Sequence, residues 1–317
     1  MQLNKSNTSE VVREPYAVKV ASTVRWGGGC SDAFSLPSCF LCEAKTSAWS
    51  SRRAFLLAAG SAAIVVPVAP ALAQVDVGPS SNLRKLVPAE ELENAASQQY
   101  AQLLAEARGK GALAPAGNPQ LQRLQRIAAK LVPQTAQWND RSRQWKWEVN
   151  LLGSKQINAF CMPGGKIAFY TGILDQLKLS DDEAAMIMGH EMAHALREHA
   201  RARIAKSQGT GTLLSLGAQL LGLGQLGDVA ANLGTQLLTL KFSREDETDA
   251  DLVGLELAAR GGYNPQASVS LWEKMAQAGG GASGPSFLST HPSGPQRIQQ
   301  VQANVPKVQG LYQRARG

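Results

Sequence analysis

The chain has 317 residues and an ordinary globular composition, 44% hydrophobic and 18% charged, which suits one large domain or two small ones and excludes a disordered or fibrous chain. Its formal net charge of +7 shrinks when residues 1–73 are set aside, since they hold seven Lys/Arg against four Asp/Glu. The remaining surplus of +4 is no nucleic-acid footprint, so no nucleic-acid partner is expected.

In chain order, residues 1–50 form a long polar stretch, read as a leader or a start placed too early and expected to be disordered. No Met lies between Met1 and Met162, so a later start would appear here as a valine or leucine, such as Val24 or Leu41. Cys39-Phe40-Leu41-Cys42 has a metal-like spacing but lacks a second pair. Next, "SRRAFLLAAGSAAIVVPVAPALAQ" sets Arg52 and Arg53 before an apolar run from Ala54 to Val66 and then Ala71-Leu72-Ala73, the order of a secretory signal peptide over 51–73. The paired arginines resemble the twin-arginine export signal, with cleavage expected after Ala73 and a periplasmic destination. A transmembrane anchor is the alternative, but about 13 apolar residues containing Gly60 and Ser61 fall short of the roughly 20 a bilayer needs. Beyond the leader only Cys161 remains, so no internal disulfide is possible.

Residues 74–82 read as a linker, and Pro88 to Arg108 carry apolar and alanine positions at helical spacing, ending at Gly109. "NPQLQRLQRIAAKLVPQ" lines Leu121, Leu124, Ile127, Ala128 and Leu131 along one stripe of a second helix that Pro133 ends. "WKWEVNLL" and "INAFCMPGGKIAFYTG" are short runs rich in aromatic and β-branched residues with a turn at Pro163-Gly164-Gly165, which predicts a small antiparallel sheet. Ser180 and Glu183 make a capping box for a long helix, and Asp181 and Asp182 complement its dipole. From Gln208 to Leu240 the only charge is Asp228, and seven glycines argue against a membrane hairpin; buried or partly mobile helices packed beside the active site are expected, with peripheral membrane contact as the alternative. Helices around "DETDADLVGLELAARG" and "NPQASVSLWEKMAQAG", a Gly/Ser loop and a final helix complete an α+β fold that is mainly helical.

Three of the four histidines lie in "GHEMAHALREH". At about 100° per residue, His190 and His194 are one turn apart on one face, so both imidazoles can reach one ion. Glu191 falls beside that ion, where a carboxylate can take a proton from its water, the His-Glu-x-x-His pattern of zinc hydrolases. The bland alternative, a charged helix surface, is opposed by Ala184, Ala185, Ile187, Met188 and Ala193, which bury the helix on several sides. His199 projects to the opposite face and is expected in solvent among Arg197, Glu198 and Arg201. Catalytic zinc takes three protein ligands. The long metzincin pattern would require Gly at 197 and His at 200, where the chain has Arg197 and Ala200. A carboxylate from "SREDETDADLVG" is the remaining solution: Glu247 with Asp251 one turn on, while Glu245, Asp246 and Asp249 stay open on spacing alone.

"NAFCMPGGKIAFYTGIL", "GHEMAHALREH", "SREDETDADLVG" and "STHPSGPQRI", in that order across roughly residues 145–300, resemble the gluzincin metallopeptidase family that includes HtpX, the CAAX prenyl endopeptidases and periplasmic quality-control peptidases. The resemblance implies a gluzincin-type fold and one Zn²⁺ per chain held by His190, His194 and Glu247. It further implies Glu191 as general base and Asp251 as a carboxylate that orients a ligand or donates a proton. His291 belongs to the fourth motif, where it would stabilise an oxyanion, cap the zinc or only bond within its turn. HtpX-like members carry membrane spans beside the catalytic helix and this chain does not, which implies the soluble, exported branch. The expected function is zinc-dependent endopeptidase action on unfolded or misassembled envelope proteins, with an edge strand of the sheet receiving extended substrate. A zinc-bound chaperone or assembly factor with latent protease activity, and a structural zinc domain, are the rival readings.

Overall fold

The computed structural model describes residues 75–207, 237, 240–279, 286–291 and 294–317. The leader and export-signal readings, and all of Gln208–Leu240 except residues 237 and 240, lie outside the described residues. Helix α1, Ala89–Gly109, buries Leu92, Ala96, Tyr100, Leu104 and Ala107, a stripe at three- and four-residue spacing. Helix α2, Pro119–Leu131, begins where the Asn118 side chain accepts from the Gln120 and Leu121 amides and Pro119 pre-sets the first turn. Its five predicted stripe residues are all buried.

The three strands are β1 Glu148–Leu152, β2 Ala159–Met162 and β3 Lys166–Tyr170, in the order β1-β3-β2. The β2–β3 hairpin is antiparallel as predicted, and Gly164 and Gly165 turn it at φ of +82° and +79°. β1, however, runs parallel to β3, so the sheet is mixed rather than purely antiparallel. Residues 153–158 carry the chain past the sheet's middle position, and β3 returns into it, alongside β1. The consequence for the site is that β2 is an edge strand.

After α3, Thr171–Gln176, comes α4, Asp181–Leu196, opened by the Ser180–Glu183 capping box. Every residue from Glu183 to Leu196 is buried. A helix enclosed on all sides can hold ionisable groups only with partners. It stops at Glu198, whose φ of 58° is left-handed, and α5, His199–Ser207, leaves from there. The later helices are α6 Arg244–Arg260, α7 Ala267–Gly279, α8 Ser286–Thr290 and α9 Pro295–Arg316. α6 and α7 pack against α4, and α9 packs against α6. Leu237 is half-buried against the apolar clusters of α1 and α5. Among the described residues no helix is long and apolar enough to cross a membrane.

Candidate metal centre

α4 and α6 meet at two glycines. A Cβ on Gly189 would sit 2.7 Å from the Gly254 carbonyl oxygen, and one on Gly254 would sit 2.6 Å from the His190 nitrogen. Only hydrogen at both positions permits that backbone approach, and it carries Glu247, two turns before Gly254, over the two histidines. His190 Nε2 lies 3.1 Å from His194 Nε2, and these nitrogens lie 3.6 and 3.5 Å from the Glu247 carboxylate. His291 enters from the end of α8, with Nδ1 3.0 Å from Glu247 Oε1 and 3.3 Å from His190 Nε2. Ligand atoms of His190, His194, Glu247 and His291 all fall within 4.8 Å of one another, and all four residues are buried.

The neighbouring acidic residues go elsewhere. Glu245 is exposed, and Asp246 closes a capping box on Ser243. Asp249 faces Arg197 Nε at 2.8 Å and His199 Nε2 at 3.2 Å. Of the four acidic candidates, only Glu247 reaches the cluster.

Burial holds His190 and His194 below the ordinary histidine pKa and so favours their neutral, ligating forms. His190 Nδ1 lies 3.0 Å from Asp251 Oδ1, so the N–H belongs on Nδ1 and the bare lone pair on Nε2 faces into the cluster. Two imidazole lone pairs and a carboxylate converging at this range repel one another unless a cation sits among them. The donor set, two nitrogens and an oxygen with a further imidazole at hand, suits zinc.

Asp251 is clamped by Arg297 through Nε at 2.5 Å and Nη2 at 2.9 Å, while Arg297 Nη1 reaches Glu247 Oε2 at 2.8 Å. The guanidinium lies 3.6 Å over the Trp272 ring. Burial alone would raise the Asp251 carboxyl, but Arg297 and His190 outweigh it and hold the group ionised. Sequence reasoning missed Arg297. It stands in the quoted "STHPSGPQRI", yet nothing in its spacing shows that the first turn of α9 aims it inward.

Glu191 is 2% exposed, and burial pushes its carboxyl up to about 7. Glu247 adds to the rise, while His291, Arg297 and the Cys161 amide of β2 oppose it. Its Oε1 has no hydrogen-bond partner among the described residues, and His291 Nε2 lies 3.6 Å from it. For His291, burial lowers the pKa, but Glu191 and Glu247 more than compensate and raise it.

The expectation for His199 is corrected. The residue is buried, with Nδ1 3.0 Å from His194 Nδ1. Helical projection fails for it because α4 ends before it, and the left-handed Glu198 turns His199 back toward the site.

A buried pair of histidines one turn apart, a glutamate from a second helix and a buried glutamate beside them with one oxygen free of hydrogen bonds define a metallopeptidase centre. Residues 118–305 match the model described as Peptidase family M48, and the chain belongs to that family, whose members are zinc-dependent. It is similar to the mitochondrial metalloendopeptidase OMA1 of Arabidopsis thaliana, 39% identical over 160 residues that cover 50% of this chain and 32% of the relative. It is similar also to the metalloprotease LoiP of Escherichia coli, 29% identical over 198 residues, covering 61% and 73%. The beta-barrel assembly-enhancing protease of Escherichia coli is 30% identical over 153 residues, covering 45% and 31%. The chain spans about a third to a half of the length of the OMA1 relatives.

Proposed function

We propose that this protein is a zinc-dependent endopeptidase that cleaves extended segments of unfolded protein, with His190, His194 and Glu247 as ligands and Glu191 as general base. The observation that carries the reading is Glu191, a buried carboxylate with an open oxygen and a pKa near 7 beside the four-donor cluster. A structural zinc site has no use for such a group, which weighs against that rival even though four donors converge. Bound zinc would polarise the scissile carbonyl and acidify the attacking water. Glu191 takes that water's proton on its open Oε1 and later delivers it to the leaving amine. Asp251 keeps His190 in the ligating tautomer, and Arg297 keeps Asp251 ionised.

Substrate placement follows from β2. Tyr170 donates its amide to the Asn158 carbonyl at 3.1 Å, so by antiparallel alternation Phe160 and Met162 bond to β3 while the peptide groups of Ala159 and Cys161 face outward. An extended chain adding to that edge uses backbone bonds, which tolerates many sequences, and the edge adjoins Glu191 through the Cys161 amide. The test is digestion of casein by the purified protein with and without a chelator. Chelator-sensitive cleavage supports the reading; chelator-resistant cleavage defeats it, and no cleavage defeats it in favour of the chaperone alternative.

His291 supports a finer reading of control. Its Nδ1 already lies among the ligand atoms, as a fourth donor would, so we read it as a cap that holds the centre off until displaced by substrate. The destination rests on residues 51–73 alone: with paired arginines before a short apolar run, we read them as an export signal and residues 74–317 as the exported peptidase, acting on misassembled envelope proteins. Cell fractionation of Arg52→Lys with Arg53→Lys tests the folded-protein route, which predicts precursor retained in the cytoplasm; unchanged export contradicts it.

A further inference from the structure

The two histidines of α4 are anchored differently. His190 donates directly to the carboxylate of Asp251, whereas His194 meets no carboxylate at its second ring nitrogen but another imidazole. His194 Nδ1 lies 3.0 Å from His199 Nδ1, and His199 Nε2 lies 3.2 Å from Asp249 Oδ2. Proton accounting leaves one consistent arrangement. If His194 ligates through Nε2, its hydrogen is on Nδ1 and must be donated, so His199 Nδ1 must be the bare acceptor. The hydrogen of His199 then sits on Nε2, where Asp249 accepts it.

The far end of this chain is also fixed. Arg197 donates through Nε to the same Asp249 oxygen at 2.8 Å and through Nη2 to the Gly78 carbonyl at 2.8 Å. Val75, three residues earlier, is buried in the core and donates its amide to the fully buried Glu256 of α6 at 2.6 Å. The segment before α1 is thereby tied to α6 and holds Arg197, which holds Asp249, which holds His199.

We propose that His199 is a positioning residue for the metal centre, accepting the Nδ1–H of His194 and passing the polarisation of Asp249 to that ligand through a neutral imidazole. Its role extends the carboxylate–histidine–metal pattern by one ring. The ring also fixes the orientation of His194 from one side, while Phe242 stacks on it with centroids 3.9 Å apart. The proposal rests on the zinc reading above, since His194 needs a defined tautomer only if its other nitrogen binds a metal.

The test is zinc affinity of the full chain by chelator competition, together with melting of each variant stripped of metal. His199→Ala should weaken zinc about 10- to 100-fold, as losses of groups that orient a ligand do. His199→Asn should recover most of the affinity, because its Oδ1 takes the place of Nδ1 as acceptor. A residue that merely packed would lower melting of the stripped protein and gain nothing from Asn. Equal affinity for His199→Ala and the parent, or no recovery with Asn, overturns the proposal. Should the variants fail to fold, nitrogen-15 histidine spectra of the zinc-loaded parent decide: His194 protonated on Nδ1 and His199 on Nε2 is expected, and any other pair of tautomers overturns it. If the parent itself binds no zinc, the zinc reading fails instead, and the two failures are distinct.

Discussion

Gly189 and Gly254 touch backbone to backbone, and that contact turns two remote motifs into one centre. A methyl group on Gly254 would meet the His190 nitrogen at 2.6 Å and the Gly189 carbonyl carbon at 2.7 Å, both backbone atoms that cannot rotate away. The helices would have to part, and Glu247 would leave with α6. Gly254→Ala is therefore expected to cost about 1–3 kcal/mol of stability and to lower zinc occupancy as well. Thermal melting with zinc analysis checks this, and a variant that retains full zinc refutes the link between crossing and ligation.

The ligand assignment separates Glu247 from residues four or fewer positions away. Glu247→Ala should empty or greatly weaken the site, Asp251→Ala should cost about 10- to 100-fold in affinity, and Asp246→Ala should cost only its cap, about 1 kcal/mol of stability. Glu245→Ala should do nothing to zinc. Metal content after dialysis ranks the four, and loss of zinc from Glu245→Ala or Asp246→Ala would show that the third ligand is wrongly placed.

His291 has its Nδ1 at the ligand cluster and its Nε2 facing Glu191. As a cap it obstructs the position a substrate needs, so His291→Ala should raise peptidase activity while leaving zinc bound. A fall in activity would instead assign His291 to stabilising the oxyanion, and no change would reduce it to its turn.

Stability should also depend on pH through Glu183. Its carboxylate accepts from the Ser180 amide at 2.8 Å, from Lys274 Nζ at 2.7 Å and from Ser270 Oγ at 2.9 Å. Burial alone would raise this group, but these partners outweigh it and hold it below the ordinary value. A carboxyl lowered in the folded state contributes stability that is present above its unfolded pKa, about 4.3, and is lost as pH falls through the folded value. The melting advantage of the parent over Glu183→Gln should thus be full near pH 7 and fade below about pH 4. An advantage that persists unchanged to pH 2 would contradict the assignment.

What the sequence made legible was local. The Leu121-to-Leu131 stripe and the Ser180 capping box are both decided within a few residues, and both stand as read. His190 and His194 share a face because one helical turn separates them. What escaped depends on distant chain. The direction of β1 relative to β3 is set by where residues 153–158 travel, not by strand composition. Which of the four acidic residues reaches the histidines follows from the helix crossing at Gly254. Arg297 lies 46 positions from Asp251, and no periodicity links them. His199 was misplaced because a single left-handed residue, Glu198, breaks the projection that served the two histidines before it.

On the proposed mechanism, Glu191 does the proton transfer for a metal held by its neighbours. The most direct measurement is cleavage of a denatured protein by Glu191→Gln, with zinc content determined on the same sample. The amide cannot take a proton, so cleavage should fall by about 10²- to 10⁴-fold while zinc stays at the parent level. Normal cleavage by zinc-loaded Glu191→Gln would remove Glu191 from the mechanism.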